Sequence, residues 1–246
     1  MNLRVVGIPV LSSVLALAGT GCHYAPGKPV PGSEEKRPDQ VLDFATLYAQ
    51  NCAACHGEQG KNGAALSLAN PVYLDVAGTA NILRITAEGV PGTMMPPFAR
   101  AKGGMLTEQQ IAALVQGMVR EWGTAALPAG QTPPSYASNS AGVAANGQRV
   151  FATFCARCHG ADGAGALVNS IHVGSLVDPA YLSLISDQGL RSITIAGQPE
   201  QGMPDWRSDA AGNGARPTTD EEITDIVAWI AAHRIATPGQ PYPQKP

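Results

Sequence analysis

The chain has 246 residues, a low charged fraction of 14%, and many glycines and prolines, 28 and 20 respectively. This composition is typical of small, loop-rich domains, and the length allows two of them. The formal net charge of −3 gives no indication of a nucleic-acid-binding protein.

The first 22 residues have the pattern of a secretory signal. Arg4 supplies a positive charge, and the apolar stretch 5–18 is too short for a membrane-spanning helix. It leads into Leu-Ala-Gly-Thr-Gly-Cys22, which resembles the lipobox of bacterial lipoproteins, whose cysteine carries the lipid. Cys22 is therefore the predicted lipidation site, which also accounts for an odd fifth cysteine. Ordinary cleavage nearby and an uncleaved single anchor are the alternatives.

The rest of the chain divides by composition. Residues 23–40 are polar and Pro-rich, which predicts an extended tether. Residues 41–123 and 143–237 are the two predicted domains, here called domain 1 and domain 2. Residues 124–142, rich in Ala, Gly, Pro and Ser, are the predicted linker between them. The Pro-rich tail 238–246 is expected to be disordered.

Each domain contains one Cys-x-x-Cys-His sequence, the attachment pattern for c-type haem. The two copies are Cys52-Ala53-Ala54-Cys55-His56 and Cys155-Ala156-Arg157-Cys158-His159. Residues three apart share one face of a helical turn, so both thiols can form thioethers with one porphyrin while the histidine faces the iron. A redox dithiol or half a zinc site would use the same cysteine spacing, but the βαβ pattern of thioredoxin-like proteins is missing. The sequence therefore predicts two covalently attached haem c groups, with His56 and His159 as iron ligands.

The domains repeat one another beyond these motifs. From Pro71 to Phe98, each residue has its counterpart 108 positions further on, including Pro-x-Tyr-Leu, Ile-Thr-x-x-Gly-x-Pro and Met-Pro segments. Each domain then ends in a predicted amphipathic helix that begins with a capping box. The capping pairs are Thr107 with Gln110 and Thr219 with Glu222.

With these features in order, each half resembles a class I cytochrome c domain, over residues 41–123 and 143–236. The resemblance implies an all-α fold: two tandem cytochrome c domains, each a small helical fold wrapped around a covalently attached haem. An N-terminal helix, Val41–Asn51 or Asn146–Phe154, would run into the haem motif. A C-terminal helix would pack across it, and a Met-bearing loop would close over the opposite haem face.

Two positions depart from the family pattern. The C-terminal helix often carries an aromatic residue, which Trp229 supplies, but its counterpart in domain 1 is Gly117. Trp122 is expected to compensate there. The family also often has a proline whose carbonyl orients the ligand histidine. Residues 64–66 stand in its place, and any backbone carbonyl can accept that bond.

Met95 and Met203 are the predicted distal iron ligands, because each stands in a Met-Pro turn before a capped helix. Met203 is the only methionine of domain 2, whereas Met94 remains an alternative in domain 1. Met105 and Met118 are less suited, and Met118 belongs to the face of the last helix. His–Met ligation fills both axial positions and raises the potential, which argues against oxygen or peroxide chemistry.

The hypothesis is a dihaem cytochrome that transfers electrons and is not itself an enzyme. It would lie in the bacterial cell envelope, on the periplasmic side of the membrane, held there by its lipid anchor. Its partners would be a quinol-oxidising complex, a terminal oxidase or a dehydrogenase. The alternatives are a cytochrome subunit of a periplasmic dehydrogenase or oxidase complex, a dihaem peroxidase and a ligand sensor. The last two need an open iron position.

The remaining histidines and two arginines have weaker predictions. Surface or packing roles are expected for His23, His172 and His233. Arg84 and Arg191 are equally consistent with haem-propionate partners and with solvated surface residues.

Overall fold

The structure, a computed structural model, describes residues 35–123, 131–207 and 216–236. The chain divides into two units, residues 1–40 and residues 41–246. The described part of the first unit holds one short 3₁₀ helix, Pro38–Gln40. The predicted signal, Cys22, most of the tether and the predicted tail lie outside the described residues.

Domain 1 consists of four α-helices and the short 3₁₀ helix Arg100–Lys102. The α-helices are α1 Phe44–Asn51, α2 Ala53–His56, α3 Pro71–Glu88 and α4 Glu108–Trp122. α1 begins later than predicted because Asp43 caps it, its carboxylate accepting the Thr46 N–H at 2.8 Å. α3 is two helical segments joined at Gly78, whose φ of 67° interrupts the helix.

The described part of domain 2 repeats this order with one addition. Its helices are α5 Ala144–Phe154, α6 Ala156–His159, α7 Pro179–Leu184, α8 Asp187–Ala196 and α9 Asp220–Ala231, with a 3₁₀ helix at Pro199–Gln201. The addition is an antiparallel hairpin of β1 Ala166–Val168 and β2 Ile171–Val173, in which Val168 pairs with Ile171. The mostly helical fold confirms the predicted class, and the hairpin is the departure from all-α.

Both predicted capping boxes are confirmed. Thr107 caps α4 and Thr219 caps α9, and in each case the side chain three residues on bonds back to the capping residue's N–H. The predicted apolar faces are buried except at Val119, which is exposed, and Ala231, which is half-buried. The buried members are Ile111, Leu114, Val115 and Met118 in α4, and Ile223, Ile226, Val227 and Ile230 in α9.

In each domain the first helix packs closely against the last, and a glycine lies at the contact. The glycine is on the last helix in domain 1 and on the first helix in domain 2. In domain 1 the small residue is Gly117 of α4, where a Cβ would lie 2.2 Å from the Phe44 ring of α1. In domain 2 the small residue is Gly147 of α5, where a Cβ would lie 1.9 Å from the Asp225 carbonyl oxygen and 2.8 Å from the Trp229 Cβ. Each glycine therefore permits the close approach of the two helices.

The domains contact each other through α3 and α8. Ile195, Ala196 and Trp206 of domain 2 belong to the same apolar cluster as the domain 1 core. At its edge, the buried Asn70 caps α3 with its Oδ1 and donates from Nδ2 to the carbonyls of Ala196 and Gly197, at 2.9 and 3.2 Å. One side chain thus caps a helix start in domain 1 and a helix end in domain 2.

The described part of the predicted linker, residues 131–142, packs on domain 2. Arg191 of α8 is buried, and its guanidinium donates to the carbonyls of Ser135 and Tyr136, to Thr224 Oγ1 and to Asp220. The alternative of a solvated Arg191 is therefore wrong, because α8 turns this position inward. Its Nε, Nη1 and Nη2 each already donate to a protein oxygen. The haem-propionate alternative stays a prediction. Arg84 is exposed and pairs with Glu88 at 3.8 Å.

Across the described residues, every helix is too short or too polar to cross a membrane.

Candidate haem-binding sites

In domain 1, one helical turn carries the two cysteines and the histidine, as predicted. The Cys52 N–H donates to the Tyr48 carbonyl at 2.8 Å, which continues α1 into the motif. The Cys52 carbonyl in turn accepts the His56 N–H at 3.0 Å. Cys52 is buried and Cys55 is exposed, so the thiols lie at different depths. This is the local geometry that two thioether attachments and a neighbouring ligand require.

The His56 imidazole is oriented by a backbone carbonyl. Its Nδ1 lies 2.7 Å from the Leu66 oxygen, which can only accept, so Nδ1 carries the proton and Nε2 keeps its lone pair. This confirms that a carbonyl other than proline's can fill the role. Burial lowers the pKa of His56, and the weaker opposing effect of this hydrogen bond does not cancel it. A neutral imidazole is the form that binds metal.

A glycine turn and an aromatic pair lie behind this histidine. Gly57 has φ of 83°, and a Cβ there would lie 1.9 Å from the Lys61 oxygen. The Tyr48 hydroxyl donates to the Gly57 carbonyl at 2.9 Å, a contact that sequence analysis missed. The Trp122 ring packs edge-on against Tyr48 with 5.0 Å between ring centroids, and a Cβ on Gly60 would lie 2.8 Å from the Trp122 ring. Trp122 therefore compensates for Gly117, as predicted.

The domain 2 motif adopts the same turn. The Cys155 N–H donates to the Phe151 carbonyl at 2.8 Å, and the His159 N–H to the Cys155 carbonyl at 3.0 Å. Trp229 packs on Phe151 at 4.4 Å, and a Cβ on Gly163 would lie 3.2 Å from its ring. Trp229 thus lies beside Gly163 as Trp122 lies beside Gly60.

The first cysteine of each motif has an uncharged thiol. Burial, with a smaller effect from the neighbouring cysteine, raises the pKa of Cys52 to about 11 and that of Cys155 to about 12. Neither thiol is therefore an activated nucleophile of the kind found in dithiol oxidoreductases, which have a lowered pKa.

The His159 imidazole differs from that of His56. Its Nδ1 is buried, and the described residues offer it no hydrogen-bond partner. Burial lowers the pKa of His159, and no hydrogen bond opposes that effect. Sequence analysis missed this difference between the two histidines.

The two loops that carry Met95 and Met203 are held by equivalent backbone hydrogen bonds. The Val90 N–H donates to the Met95 carbonyl at 3.0 Å, and the Gln198 N–H donates to the Met203 carbonyl at 2.9 Å. Met95 and Met203 are half-buried. Met94 is 75% exposed, which favours Met95 over Met94 as a ligand. The other domain 1 methionines occupy different surroundings, Met105 at the surface and Met118 in the core.

Together the described residues fit a haem c in each domain, since each supplies two thiols, a neutral imidazole and a thioether. The other described histidines have the expected surface or packing roles. His172 is exposed, whereas His233 packs edge-on against Trp229 at 5.0 Å. His23 lies outside the described residues.

Both halves of the chain match known families. Residues 144–234 match the family described as Cytochrome c, and residues 39–116 match Cytochrome C oxidase, cbb3-type, subunit III. A solved structure titled Kuenenia stuttgartiensis reducing HAO-like protein complex Kustc0457/Kustc0458 overlaps 82% of this chain and 100% of its own, with a TM-score of 0.43 and 17% identity. That similarity is low, and nothing about function follows from it.

Curated relatives are similar over both domains. The Cbb3-type cytochrome c oxidase subunit CcoP of Azospirillum sp. (strain B510) is 30% identical, over 65% of this chain and 55% of that protein. Subunit FixP of Rhizobium etli is 30% identical, over 76% of this chain and 60% of that protein. Subunit FixPc of Rhizobium leguminosarum bv. viciae is 27% identical, over the same shares. The chain therefore spans somewhat more than half the length of these relatives.

The family matches in both halves agree with the repeated Cys-x-x-Cys-His turns and the mostly helical fold. The chain thus belongs to the c-type cytochromes, haem proteins of electron transport, and is built from tandem cytochrome c domains.

Proposed function

We propose that the protein is a dihaem c-type cytochrome that transfers single electrons between respiratory redox partners. The observation that carries the proposal is one donor set repeated on equivalent turns and loops of both domains. The haems would be held through thioethers to Cys52, Cys55, Cys155 and Cys158. The axial pairs would be His56 with Met95 and His159 with Met203.

The donor set favours electron transfer over catalysis. A haem supplies a one-electron couple, and a thioether ligand raises its potential. Protein side chains on both faces of the iron would leave no coordination position for oxygen or peroxide. A dihaem peroxidase or a ligand sensor needs such a position, so both are weaker alternatives.

A terminal oxidase is the favoured partner. The curated relatives are named as subunits of cbb3-type cytochrome c oxidase, which supports a role as a subunit of such a complex or as a carrier to it. A quinol-oxidising complex would be a suitable electron donor. The alternative is a cytochrome subunit of a periplasmic dehydrogenase.

The N-terminal sequence supports a location on the periplasmic side of the cytoplasmic membrane, anchored by a lipid on Cys22. Replacing Cys22 with serine is expected to release the protein from the membrane fraction and to abolish its labelling by fatty acid. Retention of Cys22→Ser in washed membranes would instead favour an uncleaved N-terminal anchor.

The ligands can be tested one haem at a time. Met95→Leu and Met203→Leu should each convert one haem to a high-spin form that binds carbon monoxide when reduced, seen by visible absorption. Met94→Leu is the matched control and should leave both haems low-spin. Carbon monoxide binding by the unmodified protein, or by Met94→Leu alone, would contradict the assignment.

The haem count and the partner need separate measurements. Intact mass should show two haems per chain, and Cys155→Ser combined with Cys158→Ser should leave one. The reduced protein should support oxygen consumption by membranes that contain a cbb3-type oxidase, but not by membranes that lack it. Reduction by a periplasmic dehydrogenase without any oxidation by the oxidase would favour the alternative.

A further inference from the structure

The two ligand histidines differ in what their second ring nitrogen contacts. His56 Nδ1 donates to the Leu66 carbonyl at 2.7 Å, whereas His159 Nδ1 is buried without a partner among the described residues. The two histidines nevertheless occupy equivalent positions, each directly after the second cysteine of its own motif and on the same kind of helical turn. The difference must therefore come from the segment that follows the motif.

That segment is longer in domain 2. Ser67 and Ser175 are equivalent, because their hydroxyls donate to the carbonyls of Gly60 and Gly163 respectively. Ten residues separate His56 from Ser67, whereas fifteen separate His159 from Ser175. The longer segment of domain 2 contains the β1–β2 hairpin, which domain 1, described over its whole length, lacks.

Because of the hairpin, the backbone carbonyl equivalent to that of Leu66 does not bond to the domain 2 imidazole. Leu66 precedes Ser67, and Gly174 is the equivalent residue before Ser175. In domain 2 the hairpin leads into Gly174 through Val173, whose N–H and carbonyl belong to the β1–β2 pairing region. The chain there follows the hairpin and presents no carbonyl to His159 Nδ1.

This difference bears on the strength of each axial ligand. A hydrogen bond from Nδ1–H to a carbonyl increases electron donation by Nε2, which stabilises ferric iron. Hydrogen bonding around the axial ligand is one of the means by which a protein sets haem potential. An imidazole without an acceptor is the weaker electron donor and favours the ferrous form.

We propose that the two sites are unequal in potential, with the His56 site lower and the His159 site higher. The inference rests on the proposed His–Met ligation of both haems. With one electron in the protein, domain 2 holds it at equilibrium. Domain 1 is then the side that accepts electrons from the donor, and domain 2 is the side that delivers them.

Reciprocal loop exchange tests the cause directly. In one variant, residues 161–174 are replaced by the sequence of residues 58–66. In the other, residues 58–66 are replaced by the sequence of residues 161–174. Spectroelectrochemistry of the purified dihaem protein should show a lower potential for domain 2 in the first variant and a higher potential for domain 1 in the second. Met95→His and Met203→His identify which potential belongs to which haem, since each lowers its own.

A matched control changes the hairpin without changing its length. Asn169 and Ser170, at the tip, have φ of 48° and 66°, so glycine fits both positions. The double variant Asn169→Gly, Ser170→Gly should leave both potentials as they are. A shift as large as that of the loop exchange would mean that hairpin mobility, rather than the missing acceptor, sets the potential.

A second measurement needs no variant. In proton NMR of the unmodified reduced protein, the His56 Nδ1 proton should exchange with solvent roughly two- to tenfold more slowly than that of His159, the ratio expected for one net hydrogen bond. Equal exchange, or a domain 1 potential equal to or above that of domain 2, would overturn the inference. A high-spin or single haem in the absorption spectrum would instead overturn the proposed function and is seen before any potential is measured.

Discussion

Domain 1 and domain 2 pack an indole against the aromatic residue that precedes the haem motif, but the indole comes from different sequence positions. In domain 2 it belongs to Trp229, within α9, and in domain 1 to Trp122, at the end of α4. The position equivalent to Trp229 is Gly117, and Phe44 fills the space beside it. The comparison shows that both repeats keep an indole packed on this aromatic residue, although the tryptophan occupies a different position in the last helix of each domain.

The domains also differ in polar contacts around the site. Domain 1 ties His56 to Leu66 and the Tyr48 hydroxyl to Gly57. Domain 2 has Phe151 in place of Tyr48 and leaves His159 Nδ1 without a described partner. Each of the following substitutions is paired with its counterpart in the other domain, so that it tests whether the two domains are alike or different.

Trp229→Ala is expected to cause the largest loss of stability, about 3–5 kcal/mol, because a nearly buried indole leaves a cavity against Phe151. Trp122→Ala should cost less, about 1–3 kcal/mol, because that side chain is half-buried. Denaturant unfolding followed by circular dichroism measures both. A larger loss for Trp122→Ala would show that the burial of each indole does not determine its contribution to stability.

Gly147→Ala should destabilise more than Gly117→Ala. The new methyl group meets the Asp225 backbone oxygen in the first case, which cannot move without bending α9, and we expect about 2–3 kcal/mol. In the second case it meets the Phe44 ring, which can rotate, and we expect about 1 kcal/mol. Phe44→Leu should recover part of the loss in Gly117→Ala. No recovery in the double variant would show that the helices, rather than the ring, resist the methyl group.

Asn70→Asp should cost at least about 1–3 kcal/mol, because it replaces the donors to Ala196 and Gly197 with a buried carboxylate oxygen that faces both carbonyls, while keeping an acceptor to cap α3. Asp178 is the equivalent cap of α7, and its side chain accepts the Tyr181 N–H. Asp178→Asn should therefore change stability little. Thermal unfolding of the two variants compares them, and equal losses would mean that the contact between domains contributes nothing beyond capping.

The smallest of the four expected effects concerns acid. Lowering the pH should weaken the capping box of domain 2 but not that of domain 1. The Arg216 guanidinium, bonded to the Glu222 carboxylate at 2.6 and 2.7 Å, lowers the pKa of Glu222 to about 2. Because the folded value is below the unfolded one of about 4.5, this contribution is complete above pH 4.5 and is lost as the pH falls towards 2. The equivalent Gln110 of domain 1 does not titrate.

Glu222→Gln is the control for this effect. Melting temperatures measured between pH 6 and pH 2 should fall less steeply for Glu222→Gln than for the unmodified protein. Parallel curves would show that Glu222 does not link stability to pH, whatever its contacts with Arg216.

Local pattern was sufficient to predict several parts of the fold. The two haem turns, both capping boxes and the apolar faces of α4 and α9 depend on residues within about one or two helical turns. They form as predicted, except that Val119 of α4 is exposed. The role of Trp122 was predictable as well, because a missing aromatic residue leaves a volume to be filled. The axial role of Met95 and Met203 stays a prediction, supported by the half-buried placement of both side chains.

Other parts could not be read from the sequence. Arg191 matches Leu83 in the repeat, yet it lies buried in a cluster of carbonyls from residues 135 and 136, which are far from it in the chain. Asn70 reads as a simple helix cap, and its bonds to Ala196 and Gly197 require the packing of α3 on α8. The hairpin was missed because its strands have only three residues each, too short for an alternating pattern to be distinctive.

The sequence by itself determined which donor groups each domain offers, because the cysteines and the histidine of a haem-attachment pattern lie within one turn. Only the tertiary structure decided the surroundings of each histidine. The acceptor for His56 is the Leu66 carbonyl, ten residues further along the chain. Whether that carbonyl comes within hydrogen-bonding distance of the imidazole depends on the path of the intervening loop. The lengths of the two loops were visible in the sequence, but a hydrogen bond also needs direction and distance, and these exist only once the chain is folded.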